Sequence, residues 1–135
     1  ISLGAISCLK QMLDAPLEMI SLGGVFSGNL GFLKLDQFYH LVGEQDAVEP
    51  IGRAIFPERW PVAFLSYWNQ ARRQGKVHLL SLGPTHHNGP MGYMDGKRTL
   101  PDGRTCRRQT VEAMAEIIGK IQSYSVENSL GRRVP

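Results

Sequence analysis

Cysteine, long apolar runs and clustered charge are all scarce in this chain, and each shortage excludes a class of protein. Only two of its 135 residues are cysteine, Cys8 and Cys106, and no CxxC pair is present. A disulfide framework and a thiolate metal site are therefore not expected. No apolar run reaches the roughly 18 residues that a membrane-spanning helix requires. We expect a protein of a reducing, cytoplasmic compartment; the alternative is membrane association through segments that this sequence does not contain.

Positive charge and nucleotide-binding motifs are equally sparse. The net charge is +3, and arginine pairs are scattered at 72–73, 107–108 and 132–133 rather than massed with aromatic residues. Because nucleic-acid binding needs a basic patch, we expect no nucleic-acid partner. GxGxxG and GxxxxGK[ST] motifs are absent, and the histidine, cysteine and carboxylate residues follow no spacing typical of metal ligands. We therefore expect no cofactor and no metal.

The amino terminus lacks an initiator methionine, and it lacks the charged segment and apolar stretch of a signal peptide. The segment ISLG at 1–4 instead resembles the interior of a longer sequence. The length and the apolar fraction of 42% suit one domain that buries its own core. We expect residues 1–135 to form a single domain that is the C-terminal segment of a larger one.

Apolar periodicity predicts alternating helices and strands. The predicted helices cover 3–14, 64–74 and 110–121, and the predicted strands cover 17–24, 38–42 and 77–82. The remainder is predicted as loops at 25–37 and 83–104, a partly helical region at 49–61 and a frayed tail at 125–135. Strands separated by helical segments imply crossover connections. The fold class is therefore predicted as α/β, with about three parallel strands and flanking helices.

Some of these elements carry packing expectations. The segments MISL at 19–22 and LLSL at 79–82 are apolar almost throughout, as in strands that are covered on both faces. In the first helix, the apolar face that is expected to be buried consists of Leu3, Ile6, Leu9, Met12 and Leu13. In the second helix, the expected buried face consists of Phe64, Leu65, Tyr67, Trp68 and Ala71.

An acidic residue follows the second predicted strand, where the segment FYHLVGEQD at 38–46 ends in Asp46. Chemistry in open parallel sheets gathers at the carboxyl ends of the strands. Asp46 is a candidate acceptor for a histidine Nδ1–H, which would fix the tautomer of the ring and stabilise its cation. The alternative is a structural role, because Asp also favours turns and helix N-termini. Glu44 is the alternative carboxylate.

Two adjacent histidines, His86 and His87, follow the third predicted strand in a loop rich in glycine and proline. One of them is a candidate general base; the alternatives are loop polarity and metal binding. His40 and His78 lie inside strands and are expected to be structural. An acid after one strand and a histidine after the next is the chain order of the last two members of a Ser…Asp…His triad.

A nucleophile is harder to find, because no complete Gly-x-Ser-x-Gly motif is present. Ser2 is followed by Gly4, but the preceding glycine is missing. Ser27 lies in GVFSG at 24–28, where a loop follows instead of a helix. The candidates are therefore Ser2 and a serine upstream of this sequence.

Four motifs occur in order: LGGVF at 22–26, FYHLVGEQD at 38–46, FPERWP at 56–61 and LPDGR at 100–104. Together they resemble the C-terminal part of α/β-hydrolase-like proteins of cyanobacteria, and the resemblance covers nearly the whole chain. It implies a partial α/β-hydrolase fold and a serine esterase or lipase-like activity. The loop after the third strand resembles LGxxGHxG, which places the histidine on His87, although His86 stands where glycine is usual. The serine motif of those proteins resembles GYSAGG and would fall before Ile1, which implies an inert fragment.

We therefore expect a segment that supplies Asp46 and His87 for hydrolysis of a small ester-type substrate. The loop at 24–36 and the aromatic residues of 56–68 are expected to form pocket walls. The alternative is a non-catalytic α/β domain that binds a small molecule or a protein partner in the crevice at the strand ends. Three strands cut from a larger sheet would also expose an apolar edge, so self-association through that edge is expected.

Overall fold

The structure, a computed structural model, describes residues 4–13 and 15–131 of the chain. Its helices are α1 (Gly4–Met12), α2 (Gly31–Lys34), α3 (Glu49–Ile55), α4 (Tyr67–Arg73) and α5 (Cys106–Gly131). Its strands are β1 (Glu18–Leu22), β2 (Gln37–Val42) and β3 (Val77–Ser81), and a short 3-10 turn covers Pro57–Arg59.

The three strands form one sheet in the order β1-β2-β3, and both neighbouring pairs are parallel. In the register, His40 of β2 lies opposite Ser21 of β1, and Leu41 lies between Leu22 and Leu80. The predicted α/β class, with three parallel strands flanked by helices, is confirmed.

The central strand β2 is covered on both faces because neighbouring residues of a strand point to opposite sides. On one face, Phe38 packs in a cluster with residues of α1, α2 and α4: Ile6, Phe32, Leu35, Trp68 and Ala71. On the other face, Leu41 packs with Leu82, Tyr93 and Ile117 of α5. The sheet is thus held between a group of short helices and one long helix.

Close backbone approach brings the carboxyl ends of β2 and β3 together. A Cβ atom built on Gly43, directly after β2, would lie 2.1 Å from the carbonyl oxygen of Thr85, so a side chain at this position is excluded. The amide of Glu44 donates to the carbonyl of Gly83 at 2.8 Å, and the amide of Gln45 donates to the carbonyl of Thr85 at 3.2 Å. The segment after β2 is therefore attached to the loop after β3.

The burial expected for the segment at 79–82 is wrong for two of its three leucines. Leu79 and Leu80 are 57% and 40% exposed, whereas Leu82 is buried. Because β3 is one of the two end strands of the sheet, the helices pack against its two ends, at Val77 and Leu82, and leave the leucines between them uncovered. The expected apolar face of α1 is buried only in part. Ile6 packs in the core, whereas Leu9, Met12 and Leu13 are exposed; Leu3 lies outside the described residues.

Three helices, α4, α2 and α5, also differ from the prediction. The hydroxyl of Ser66 accepts a hydrogen bond from the amide of Asn69, so α4 begins at Tyr67 and leaves Phe64 and Leu65 exposed before it. The short helix α2 lies within the predicted loop at 25–37. The helix α5 begins at Cys106 and runs to Gly131 without an interrupting proline, through most of the stretch predicted as a frayed tail; residues 132–135 lie outside the described part.

Among the described residues, no helix is both long enough and apolar enough to span a membrane.

Candidate active site

Asp46 lies in the tight turn between β2 and α3. Its amide donates to the carbonyl of Gly43 at 3.1 Å, which closes the turn. Its Oδ1 accepts hydrogen bonds from the amides of Val48 at 2.7 Å and Glu49 at 3.1 Å. Those amides belong to the start of α3, where backbone donors lack partners within the helix. The structural role that the sequence offered as an alternative is therefore present, and it uses only one of the two carboxylate oxygens.

The other oxygen of Asp46 contacts His87. Nδ1 of His87 lies 3.0 Å from Oδ2 of Asp46, with the Asp46 side chain fully buried and the His87 side chain 27% exposed. The expected contact between the two residues is therefore present. A carboxylate can only accept, so Nδ1 carries the proton and Nε2 carries the lone pair when the ring is neutral. None of the described residues forms a hydrogen bond with Nε2.

Tyr93 is the third member of this cluster, and the sequence reasoning missed it. Its hydroxyl donates to the same Oδ2 of Asp46 and accepts from the amide of Gly43 at 2.9 Å. Tyr93 is buried although it belongs to the glycine-rich loop between β3 and α5. A large aromatic residue in such a loop was the only sequence signal that pointed to it.

The hydrogen bonds determine the charge state of this carboxylate. Burial by itself would raise the pKa of Asp46, but the hydrogen bonds from Tyr93, His87 and the two amides outweigh burial and hold the pKa below its usual value. Burial and the contact with Asp46 raise the pKa of Tyr93. At neutral pH the site therefore contains an ionised aspartate and a neutral phenol.

A cavity of about 710 Å³ adjoins the pair. Its lining includes His87, Leu22 at the end of β1, and the loop residues Pro90, Lys97 and Arg98. The cavity lies on the loop at 83–104, and the aromatic residues expected as pocket walls do not line it. Trp60 and Trp68 instead line a second cavity of about 690 Å³, together with Leu79 and Leu80 of β3.

The alternatives to Asp46 and His87 lie elsewhere. Glu44 accepts a hydrogen bond from the hydroxyl of Ser81 at 3.0 Å on the surface. His86 is exposed, and its amide donates to the carbonyl of Met91. His78 contacts the side chain of Gln37 at 2.7 Å, in keeping with a structural role.

No described serine, threonine or cysteine is hydrogen-bonded to His87. Ser2 lies outside the described residues. Ser27 lies in the loop before α2 and is 3.5 Å from the side-chain amide of Asn29. The described residues thus contain an acid and a base in contact but no nucleophile in contact with the base.

A second row of serine, histidine and carboxylate lies inside the molecule. Ser21 Oγ is 3.3 Å from Nδ1 of His40, and Nε2 of His40 is 3.4 Å from Oε1 of Glu49. All three residues are buried, and Arg59 donates to the same Glu49 oxygen at 2.9 Å. A Cβ atom built on Gly24 would lie 2.5 Å from Ser21 Oγ. The enclosed hydroxyl and the occupied carboxylate indicate a structural network, as expected for His40.

Within the described residues, no group of three or more histidine, cysteine or carboxylate side chains is arranged to hold a metal ion.

Comparison of the chain with protein-family models, with curated proteins and with solved structures finds no match. The resemblance to α/β-hydrolase-like proteins therefore stays a prediction from the four motifs. Any role for Asp46, His87 and Tyr93 has to follow from the chemistry that their geometry permits.

Proposed function

We propose that this chain is the C-terminal part of a serine hydrolase of the esterase or lipase type, in which Asp46 orients His87 as the general base. The main support for the proposal is the 3.0 Å contact between Nδ1 of His87 and the buried Asp46 carboxylate. Because Nδ1 donates in this contact, Nε2 is the acceptor of a partly exposed ring that lines a cavity. This is the arrangement in which a histidine activates a nucleophile.

The nucleophile in this proposal is a serine outside the described residues, either Ser2 or a residue upstream. Its Oγ attacks the ester carbonyl carbon while Nε2 of His87 takes the hydroxyl proton, and the carbonyl π electrons move onto oxygen. When the tetrahedral intermediate collapses, the bond to the leaving alkoxide breaks and His87 returns the proton to it. Water then attacks the acyl-serine by the same route and releases the carboxylic acid.

Reaction with a fluorophosphonate probe tests this function in the full-length protein, including the sequence upstream of Ile1, because the probe labels only an activated serine. We expect His87→Ala and Asp46→Asn to reduce the labelling rate by about 10³-fold or more. His86→Ala is the matched control, since this neighbour is exposed and does not contact Asp46, and it should label like the wild type. Peptide mapping of the adduct identifies the serine. Absence of labelling in the intact, folded protein would contradict the proposal.

The alternative is a non-catalytic α/β domain that binds a small molecule or a protein partner at the strand ends. It is favoured by the absence, within the described residues, of a nucleophile that contacts His87. On this alternative, a ligand of the cavity would raise the thermal unfolding temperature while the probe leaves no adduct.

Three further proposals accompany the hydrolase function. A cytoplasmic location fits the two cysteines, which are both free thiols. We propose that residues 1–135 act as one unit, because both sides of the sheet are packed against helices of the same chain. We propose self-association through β3, whose exposed leucines lie on the end strand of the sheet.

A further inference from the structure

Tyr93 is held in place independently of Asp46. Its carbonyl oxygen accepts a hydrogen bond from the hydroxyl of Thr110 at 2.9 Å, and Thr110 is fully buried in α5. Its ring packs in the cluster formed with Leu41, Leu82 and Ile117. Because both the backbone and the ring of Tyr93 are fixed, its hydroxyl is presented to Asp46 in one position.

Oδ2 of Asp46 accepts hydrogen bonds from two donors, Tyr93 and His87. A Cβ atom built on Gly23 would lie 2.6 Å from Oδ2 and 2.8 Å from the Tyr93 hydroxyl oxygen. The chain at Gly23 therefore closes the space beside the two donors. Oδ1 is already occupied by two backbone amides, so the carboxylate cannot rotate without losing hydrogen bonds on both sides.

We infer that Tyr93 is a positioning residue, which holds Oδ2 of Asp46 at the Nδ1 atom of His87 and shares the charge of that oxygen with the histidine ring. The meaning of this role for catalysis rests on the proposed hydrolase function, whereas the sharing itself follows from two donors on one oxygen. A phenol that donates to a carboxylate withdraws part of its negative charge. The Asp46 carboxylate then stabilises the protonated ring of His87 less than a free carboxylate would.

The consequence has a definite sign. Without the Tyr93 hydroxyl, more of the Asp46 charge is available to the ring, and His87 takes up its proton at higher pH. The other ionisable groups around the pair stay in place in the variants described next. They are Glu49 at the start of α3 and His86, Asp95, Lys97 and Arg98 in the loop at 83–104.

The test is an NMR titration of the imidazole Cε1–H signal of His87 in the whole chain, which requires no nucleophile. In Tyr93→Phe we expect the titration midpoint of His87 to lie above that of the wild type. Site-specific 3-fluorotyrosine at position 93 keeps the shape of the side chain but is a stronger donor, so it should lower the midpoint. Thr110→Val is the matched control: it removes the tie to the backbone of Tyr93 but keeps the hydroxyl, and the midpoint should not move.

An unchanged or lowered midpoint in Tyr93→Phe would overturn the inference, because a residue that only anchors the loop would release His87 from Asp46 when removed. If Tyr93→Phe does not fold, the 3-fluorotyrosine protein decides: a midpoint that does not fall contradicts the inference. The inference about Tyr93 and the proposed hydrolase function can fail independently of each other. A protein that shows both midpoint shifts but never reacts with the fluorophosphonate probe retains the inference and loses the hydrolase function.

Discussion

Two histidine–carboxylate pairs depend on the same short segment after β2, since Asp46 and Glu49 are three residues apart. In the first pair, Asp46 contacts His87 of the loop after β3 at 3.0 Å. In the second, Glu49 lies 3.4 Å from His40 of β2 itself. The two pairs consist of the same chemical groups, and their differences lie in burial and in the remaining partners of each ring.

The two pairs differ in the environment of the ring nitrogen that faces away from the carboxylate. His87 is 27% exposed at its side chain and lines a cavity, and none of the described residues bonds to its Nε2. His40 is 2% exposed at its side chain, and its second nitrogen lies against the hydroxyl of Ser21. Burial lowers the pKa of His40, although the neighbouring Glu49 opposes the shift, so its ring is neutral at pH 7. A histidine beside a carboxylate therefore indicates catalysis only where the far nitrogen is unoccupied and accessible.

Glu49→Ala should have the largest effect on stability of any change to the buried pair. Arg59 is 2% exposed at its side chain and loses its counter-ion in this variant, while its Nε and Nη1 already lack hydrogen-bond partners within the described residues. Removing one partner of a buried ion pair costs about 3–5 kcal/mol. Urea denaturation at pH 7 measures the difference in the free energy of unfolding.

Glu44→Ala is the control for this change, because Glu44 is exposed and its carboxylate accepts a hydrogen bond from Ser81 at the surface. It should alter the free energy of unfolding by no more than about 0.5 kcal/mol. A loss below about 1 kcal/mol in Glu49→Ala would mean that Glu49 does not neutralise Arg59 in the folded state. The distinction drawn between the structural pair and the candidate catalytic pair would then fail.

The sequence was sufficient to predict that Asp46 and a histidine of the loop after β3 lie together, because the ends of strands are local signals. Each residue lies in a short polar segment that follows an apolar run, and parallel strands place their carboxyl ends at one edge. Tyr93 was not predictable in this way, since it lies 47 residues from Asp46 in the chain and no local pattern reports which loop residue turns inward. The choice between His86 and His87 rested on the resemblance, and the contact with Asp46 is made by His87.

The fold, like the site, was predictable in its local features and not in its tertiary contacts. Periodicity predicted the three strands and the helices α1, α4 and α5, but it does not indicate what lies beside an apolar residue. The leucines of β3 were expected to be buried and are exposed, because β3 is the end strand. Phe64 and Leu65 fit the periodicity of a helix, yet the capping hydroxyl of Ser66 starts α4 after them. Burial of an apolar residue and the start of a helix depend on neighbours in the folded structure, and a single sequence does not show those neighbours.

Gly23→Ala should be the next largest change, and it acts on the candidate catalytic pair. Gly23 has φ +55°, and the added methyl group would meet Asp46 Oδ2 and the Tyr93 ring at 2.6 Å. Backbone strain of about 1 kcal/mol combines with displacement of buried hydrogen bonds, for a total of about 3 kcal/mol. Thermal and urea unfolding measure this loss.

Gly75→Ala is the control that separates backbone strain from steric crowding by the added methyl group. Gly75 has φ +71°, but nothing lies within 4 Å of the added methyl group, so only the strain of about 1 kcal/mol is expected. Equal losses in the two variants would show that the space around Asp46 Oδ2 is not closed by Gly23.

His40→Gln tests the buried pair through the pH dependence of the free energy of unfolding. The folded pKa of His40 lies below its ordinary value of 6.5, so the unfolded chain binds this proton more readily. The contribution of His40 to stability is therefore complete above about pH 6.5 and is lost as the pH falls toward the folded value. The slope is at most about 1.4 kcal/mol per pH unit. Urea denaturation from pH 7.5 to pH 5 should show a shallower decline in His40→Gln than in the wild type, whereas His86→Gln should decline like the wild type.

Leu79→Lys should have the smallest effect on stability and is informative about association. Leu79 is 57% exposed on the end strand β3, so the free energy of unfolding should change by no more than about 0.5 kcal/mol. A lysine on an exposed edge strand opposes edge-to-edge pairing, so light scattering at high protein concentration should show a lower mass for the variant. Ile118→Lys alters an apolar residue of α5 that is 47% exposed, and it should leave the mass unchanged. A wild-type protein that is monomeric at high concentration would show that the exposed leucines of β3 do not mediate self-association.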